Sequence, residues 1–358
     1  MIGFQQIPPP ETAALRPLRS DALISDQQDS AVSSIEMAEQ GVHRRPENSP
    51  PDWTVVIPAY HGRALIADCL RSVERAVEGF RAEILVVESS GDGTVELIRQ
   101  EFPGVRVLAL SERASAGAAR NRGAAAARSR KIAFVDQDCL VPHDWIVRLE
   151  KLLSQPGVGA AGGSIRFRNP SNFSGAAVYF LEFLRHFPSA NSGERNRNFL
   201  IGCNMACHRD VLERVQFPDR TLAEDVLFSE SIRRAGFDLL YAPQIEVSHW
   251  NREGWWEFLQ YNLKMGRAAA YYQMVLDRPL YRLVRQVPAL ALLSPLMTLP
   301  RIAMGLWGQW TYLLGFLALS PACLVGNVFW SVGLCSELRQ ISRQRNQQIT
   351  ANLSKIPR

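Results

Sequence analysis

Lys131-Ile132-Ala133-Phe134-Val135-Asp136-Gln137-Asp138 is the stretch on which the reading of this chain turns. Lys131 to Val135 is an apolar run of strand length, and two carboxylates separated by one residue close it. In an open α/β sheet, residues just past the carboxyl end of a strand project into the crevice where ligands bind. Asp136 and Asp138 therefore stand where carboxylate oxygens could hold a hard divalent cation, Mg²⁺ or Mn²⁺. The plainer alternative is a strand-end turn carrying two solvated acids, and the short motif alone does not separate the two.

Working outward, the same alternation continues on both sides. Upstream come an apolar Thr54 to Ile57, a helix-like Leu65 to Val77, an apolar Glu83 to Val87 and a second helix-like stretch after Thr94. In the first helical stretch Ile66, Cys69, Leu70, Val73 and Val77 recur every three or four residues, with Asp68, Arg71 and Arg75 on the opposite side. Downstream, a helical pattern starts near His143 and runs through Trp145, Ile146, Leu149 and Leu152. Strands alternating with helices predict parallel pairing in an α/β sheet. No Gly-x-Gly-x-x-Gly follows the first strand, where Pro58-Ala59-Tyr60-His61-Gly62 stands instead, so dinucleotide binding is not expected.

The chain has 358 residues, 47% of them hydrophobic, enough for one large domain with appendages or two small ones. Residues 1–51 are rich in Pro, Gln, Ser and acids, the composition of a disordered tail. The net charge of +5 arises from 40 basic and 35 acidic residues that are interspersed, which argues against a nucleic-acid partner. Six cysteines lack paired metal-ligand spacing and read as reduced, buried thiols. No basic stretch followed by an apolar run appears at the start, so a cytoplasmic catalytic face is expected. From Gln286 to Cys335 the only charged residue is Arg301. Thr311 to Cys335 is long enough to cross a bilayer, and Val287 to Met304, interrupted by Pro288, Pro295 and Pro300, suggests a second span in a hairpin or a helix in the interface near Trp307 and Trp310. Arg278, Arg282 and Arg285 before this region, and Arg339, Arg343 and Arg345 after it, predict that both ends face the cytoplasm from the inner (plasma) membrane. The expected organisation is a catalytic domain at 52–275, membrane-associated helices at 276–340 and a basic tail at 341–358.

The series Val55-Val56-Ile57-Pro58-Ala59-Tyr60, Val87-Glu88-Ser89-Ser90-Gly91-Asp92-Gly93-Thr94, Ala116-Gly117-Ala118-Ala119-Arg120-Asn121-Arg122-Gly123, Asp136-Gln137-Asp138, Gly202-Cys203-Asn204, Glu224-Asp225-Val226-Leu227 and Val247-Ser248-His249 resembles the family 2 glycosyltransferases in motif, order and spacing. The likeness covers roughly residues 53 to 275. It implies a GT-A fold, a mostly parallel central sheet flanked by helices, and metal-dependent transfer of a sugar from a nucleotide-diphosphate sugar with inversion at the anomeric carbon. It also implies roles for single residues. Pro58, Ala59 and Tyr60 would line the nucleotide pocket, and Glu88 stands where the family usually carries an Asp that reaches the base. Gly117, Arg120 and Asn121 would face the donor together with Asp136 and Gln137, Arg120 meeting a phosphate or pairing with an acid. His249 would join Asp136 and Asp138 on the metal. Asp225 would take the proton of the acceptor hydroxyl, with Glu224 in support. Asn204, Trp255 and Trp256 would lie toward the acceptor.

Without the likeness, Glu224 and Asp225 read as ordinary acids at a helix start, and a lone histidine such as His249 is more often structural. Processive members of the family carry Gln-x-x-Arg-Trp, whereas here Gln260 is followed by Tyr261-Asn262-Leu263-Lys264. Single transfers to a lipid-linked or glycan acceptor, in cell-envelope polysaccharide synthesis, are the expectation. The alternative is a catalytically silent, membrane-tethered scaffold that binds nucleotide sugars.

Overall fold

The computed structural model describes residues 50–169, 172–183, 186–188, 195–276 and 279–353. The expected tail up to residue 49, and Arg278, lie outside the described residues.

Four strands, β1 (Trp53–Ala59), β2 (Ala82–Glu88), β3 (Arg106–Ala109) and β4 (Lys131–Phe134), run parallel in the order β3-β2-β1-β4. Helices α1 (Ile66–Ala76), α2 (Thr94–Glu101) and α3 (Ala116–Ala126) connect them. This is the parallel pairing that the alternating pattern predicts. Side chains of a strand alternate between the two faces of a sheet, and β1 follows the rule. Val55 and Ile57 join Ile66, Leu70 and Val73 of α1 in one core, while Val56 joins Val87, Phe134 and the α3 alanines in another. Each such apolar side chain contributes about 1.5–3 kcal/mol on burial. Helix α3 is rich in small residues because it lies on the sheet: a Cβ at Gly123 would come 2.3 Å from Val56 Cγ1.

Past β4 the direction of pairing changes. β8 (Met205–His208) is antiparallel to β4 and to β6 (Val158–Phe167), and β9 (Asp238–His249) runs parallel to β6. The short β5 (Cys139–Leu140) and β7 (Arg195–Asn196) each pair antiparallel with β9. Helices α4 (Trp145–Leu153), α5 (Phe173–Glu182), α6 (Arg209–Arg214) and α7 (Glu224–Arg234) complete this half. In register, Ala59 lies opposite Glu88 and Val56 opposite Phe134, so the segments leaving β1, β2 and β4 emerge on one edge of the sheet.

The C-terminal part is helical: α8 (Trp255–Leu276), α9 (Pro279–Gln286), a 3₁₀ segment (Pro288–Leu293), α10 (Ser294–Gly305) and α11 (Trp310–Leu353). Among the described residues one helix, within Trp310–Gln344, is long and apolar enough to cross a membrane. The expected second span does not form as one. The 12 residues of α10 extend about 18 Å at 1.5 Å per residue, short of the ~30 Å hydrocarbon core. α11 buries Leu313, Phe316, Leu319 and Cys323 in the same core as α5, and exposes Leu314, Leu317, Leu324 and Val328. Its close crossing with α8 needs Gly266, where a Cβ would come 1.8 Å from the Trp330 carbonyl oxygen.

Candidate active site

The Asp136-Gln137-Asp138 segment leaves β4 as a tight turn, closed by the Cys139 N–H donating to the Asp136 carbonyl at 3.0 Å. β5 then sets Cys139 opposite His249 at the end of β9, and the Trp250 N–H donates to the Asp138 carbonyl at 3.0 Å. This brings His249 Nε2 to 3.6 Å from Asp138 Oδ1. His249 Nδ1 lies 2.9 Å from Asn251 Oδ1. A carbonyl oxygen can only accept, so Nδ1 donates to Asn251 and Nε2 is the ring nitrogen turned toward Asp138. Gln137 turns the other way and clamps the first loop, accepting from the Tyr60 N–H and donating to the Tyr60 carbonyl, both at 2.9 Å.

Asp136 faces Arg120. The Arg120 guanidinium is 2% exposed and donates to Asp136 Oδ1 at 2.7 Å and to Glu224 Oε1 at 2.6 Å. It lies 5.5 Å from the Phe217 ring centroid and close against Gly202, where an added Cβ would come within 2.8 Å of Cζ. α3 delivers Arg120 from a capped start, with the Ala118 N–H donating to Ser115 Oγ at 3.1 Å. The likeness left a phosphate or an acid as the partner of Arg120, and here its partners are two acids.

α7 begins behind Ala223, whose φ of 62° is unusual for a residue other than glycine and costs about 1–2 kcal/mol. The 217–220 loop ahead of it is tied to α3, the Gly117 N–H donating to the Arg220 carbonyl at 2.9 Å. Asp225 Oδ2 accepts from the Gly202 N–H at 3.2 Å and Oδ1 from the Val226 N–H at 2.8 Å. Burial raises the Asp225 carboxyl above the usual aspartate range against the pull of Arg120 and these two amides. Burial also pushes the neighbouring Glu224 up to about 7, opposed by Arg120 and reinforced by Asp225.

In the loop after β1, Tyr60 is half exposed, with its ring 4.3 Å from that of His61 and the Arg113 guanidinium 4.4 Å from its centroid. His61 adopts a φ of 52° and its N–H donates to Ser90 Oγ at 3.0 Å. The buried Glu88 carboxylate accepts from the Ser90 N–H at 2.6 Å, the Ser90 hydroxyl and the Gly91 N–H at 3.3 Å. These bonds close its own turn.

Three further expected site residues make structural contacts. Asn121 holds the 217–220 loop, accepting from the Phe217 N–H at 3.0 Å and donating to its carbonyl at 2.8 Å. Gly117 serves a close approach to that loop, since a Cβ would come 1.9 Å from the Pro218 carbonyl oxygen. Asn204 is fully buried, accepting from Trp145 Nε1 at 3.0 Å and donating to the Ser164 and Ile245 carbonyls at 2.9 and 2.8 Å. It thereby braces β6 against β9. Trp255 and Trp256 open α8 and are exposed. Pro58 and Ala59 end β1 beside the Asp136 turn. Arg113 was missed by the sequence reading because nothing in its local pattern distinguishes it from the other surface arginines. All six cysteines are free and buried, as expected, but Cys139, Cys203 and His249 converge with their ligand atoms within 4.8 Å of one another.

Asp138 and His249 thus pair an oxygen with an imidazole nitrogen, donors suited to a divalent cation, while Arg120 joins Asp136 to the helix start that carries the raised carboxyl of Asp225, a group suited to proton transfer. Residues 54–216 match Glycosyl transferase family 2. The chain is 30% identical over 249 residues to glycosyltransferase AglE of Haloferax volcanii, covering 68% of this chain and 79% of that protein. It is 37% identical over 123 residues to the succinoglycan biosynthesis protein ExoO of Rhizobium meliloti, 33% of each chain. In fold it is similar to the mannosyltransferase PcManGT of Pyrobaculum calidifontis, solved in complex with GDP-Man and Mn²⁺, with a TM-score of 0.52 and 20% identity over 87% of this chain and 93% of that one.

Proposed function

The chain belongs to the family 2 glycosyltransferases, and from that premise we propose that it transfers a sugar from a nucleotide-diphosphate sugar to a lipid-linked or glycan acceptor, one sugar at a time and with inversion. Two observations support this reading: His249 Nε2 stands 3.6 Å from Asp138 Oδ1, and Arg120 links Asp136 to Glu224 at the helix start that also carries Asp225. Asp136, Asp138 and His249 would hold a divalent cation, Mg²⁺ or Mn²⁺. When bound, such an ion neutralises negative charge on a departing diphosphate. Asp225, its carboxyl raised by burial, takes the proton from the acceptor hydroxyl as its oxygen attacks the anomeric carbon and the nucleoside diphosphate leaves. Arg120 keeps Asp136 and Glu224 fixed on either side of this space. Gln137 ties the Tyr60 loop to the same turn, and Tyr60, backed by Arg113, offers a ring face on which a nucleotide base can stack.

We further propose attachment to the inner membrane with the catalytic half cytoplasmic. The exposed apolar side chains Leu296, Met304, Trp307, Trp310, Leu314 and Leu317 support a lipid-facing surface on α10 and α11. The exposed Trp255 and Trp256 would then stand toward an acceptor delivered from that surface.

Calorimetric titration with UDP-, GDP- and dTDP-sugars, with and without Mn²⁺, tests the donor reading. One nucleotide class should bind only with the ion, and Asp138→Ala should abolish that dependence. Equal binding in the presence of a chelator would count against it.

A further inference from the structure

Cys139, Cys203 and His249 form a second donor set that shares a wall with the Asp136–Asp138 turn. Their side chains are 0%, 2% and 7% exposed and come from β5, the 3₁₀ turn Gly202–Asn204 and β9. Asp138 Oδ1 lies 3.6 Å from Cys139 Sγ and also 3.6 Å from His249 Nε2. In a tetrahedral site with metal–sulfur bonds of ~2.3 Å and metal–oxygen or metal–nitrogen bonds of ~2.1 Å, neighbouring ligands stand about 3.4–3.6 Å apart. The two separations from Asp138 match edges of such a site, and the Cys139, Cys203 and His249 ligand atoms lie within 4.8 Å of one another. The buried Asn251 already holds His249 Nδ1, the outer-shell partner that aims an imidazole Nε2 at a metal.

We propose that Cys139, Cys203, His249 and Asp138 bind one soft divalent cation of the Zn²⁺ or Cd²⁺ class, and that its binding withdraws His249 and Asp138 from the donor-side cation and stops transfer. Two thiolates and an imidazole favour such ions over Mg²⁺ or Mn²⁺, which prefer oxygen. Coordination sends the two thiol protons to solvent. The ion reaches the cluster past Asp138, whose side chain is 28% exposed. The inhibitory half rests on the proposed role of Asp138 and His249 toward the donor cation; the binding half does not.

The test uses the full chain in detergent micelles after chelator treatment. Cd²⁺ is titrated while the ultraviolet thiolate-to-cadmium band is followed, and nucleoside diphosphate release is then measured at fixed Mn²⁺ against rising Zn²⁺. The wild type should reach saturation at one Cd²⁺ per chain. Cys203→Ala should weaken binding about tenfold or more, since loss of an outer-shell partner alone typically costs that much. Cys139→Ser should do the same, while Cys207→Ser, a buried thiol outside the cluster, should keep the band. Zn²⁺ should inhibit the wild type and require at least about tenfold more for Cys203→Ala, whose Mn²⁺-supported transfer stays within about twofold of wild type. Absence of the band at equimolar Cd²⁺, or its retention in both cluster variants, would overturn the site. A band without inhibition by Zn²⁺ would overturn the sharing of ligands. Transfer by chelator-treated enzyme without any added ion would defeat the donor-cation reading, and the Cd²⁺ band would still judge the thiolate site.

Discussion

Replacing Arg120 by Met should be the most damaging single change in the chain that leaves no cavity. Methionine keeps an apolar stem beside Phe217 and Gly202 but deletes the two charge-assisted bonds, at 2.7 Å to Asp136 and 2.6 Å to Glu224. Removing one partner of a buried ion pair typically costs about 3–5 kcal/mol. The full amount is not expected near pH 6, because Glu224, already pushed up to about 7 by burial, takes a proton once Arg120 is gone. At pH 8 it would have to stay charged and unpaired or take up a proton against the solvent, so the penalty grows with pH. At about 2–4 °C per kcal/mol for a domain of this size, the melting midpoint should fall by about 6–20 °C at pH 8 and by less at pH 6. Scanning calorimetry of wild type and Arg120→Met at the two pH values measures this, and Arg120→Met/Glu224→Gln should recover part of the loss at pH 8. A loss below about 1 kcal/mol, or one that neither varies with pH nor recovers in the double variant, would refute the argument that Glu224 is the charge left stranded.

Asp225→Asn should retain donor binding and lose transfer by about 10²–10⁴-fold, the usual contribution of a general base. The sign of its pH dependence follows from the raised carboxyl: the base works only when ionised, so wild-type kcat/KM should fall with decreasing pH through a limb above the ordinary aspartate range, and Asp225→Asn should lack that limb. A limb at an unperturbed aspartate value would contradict the assignment. Asn121→Ala should lower stability by about 1–3 kcal/mol, because two Phe217 backbone groups lose their partner, and leave the affinity for a donor sugar within a few-fold in a binding titration. Trp307→Glu/Trp310→Glu should weaken sedimentation with anionic vesicles; unchanged sedimentation would count against the lipid-facing surface.

Most of the fold was legible because it rests on periodicity. The predicted helix over 65–77 is α1 at 66–76, and the predicted strands 54–57, 83–87 and 131–135 are β1, β2 and β4 to within a few residues. Asp136 and Asp138 could be placed because a strand end fixes where the next side chains project. What the chain did not reveal is contact across large separations. Asn121 meets Phe217 and Asn204 meets Trp145 through polar amides whose bracing contacts no motif announces. Glu88 closes its own turn, a matter of rotamer that a residue identity does not carry. Cys139 and Cys203 lie 64 positions apart in sequence, so no ligand spacing could announce their convergence with His249. The second apolar run failed as a span because its prolines divide it into a 3₁₀ segment and a short helix.

The central claim is turnover, and it is tested most directly by nucleoside diphosphate release from UDP- and GDP-sugars with Mn²⁺ and vesicles containing polyprenyl-diphosphate-linked sugars. The account predicts release with one nucleotide class that requires both acceptor and ion, and that is lost in Asp138→Ala and in Asp225→Asn. Tight Mn²⁺-dependent binding of a donor with no release under any acceptor, equal in wild type and Asp225→Asn, would contradict it and leave a protein that only holds nucleotide sugars.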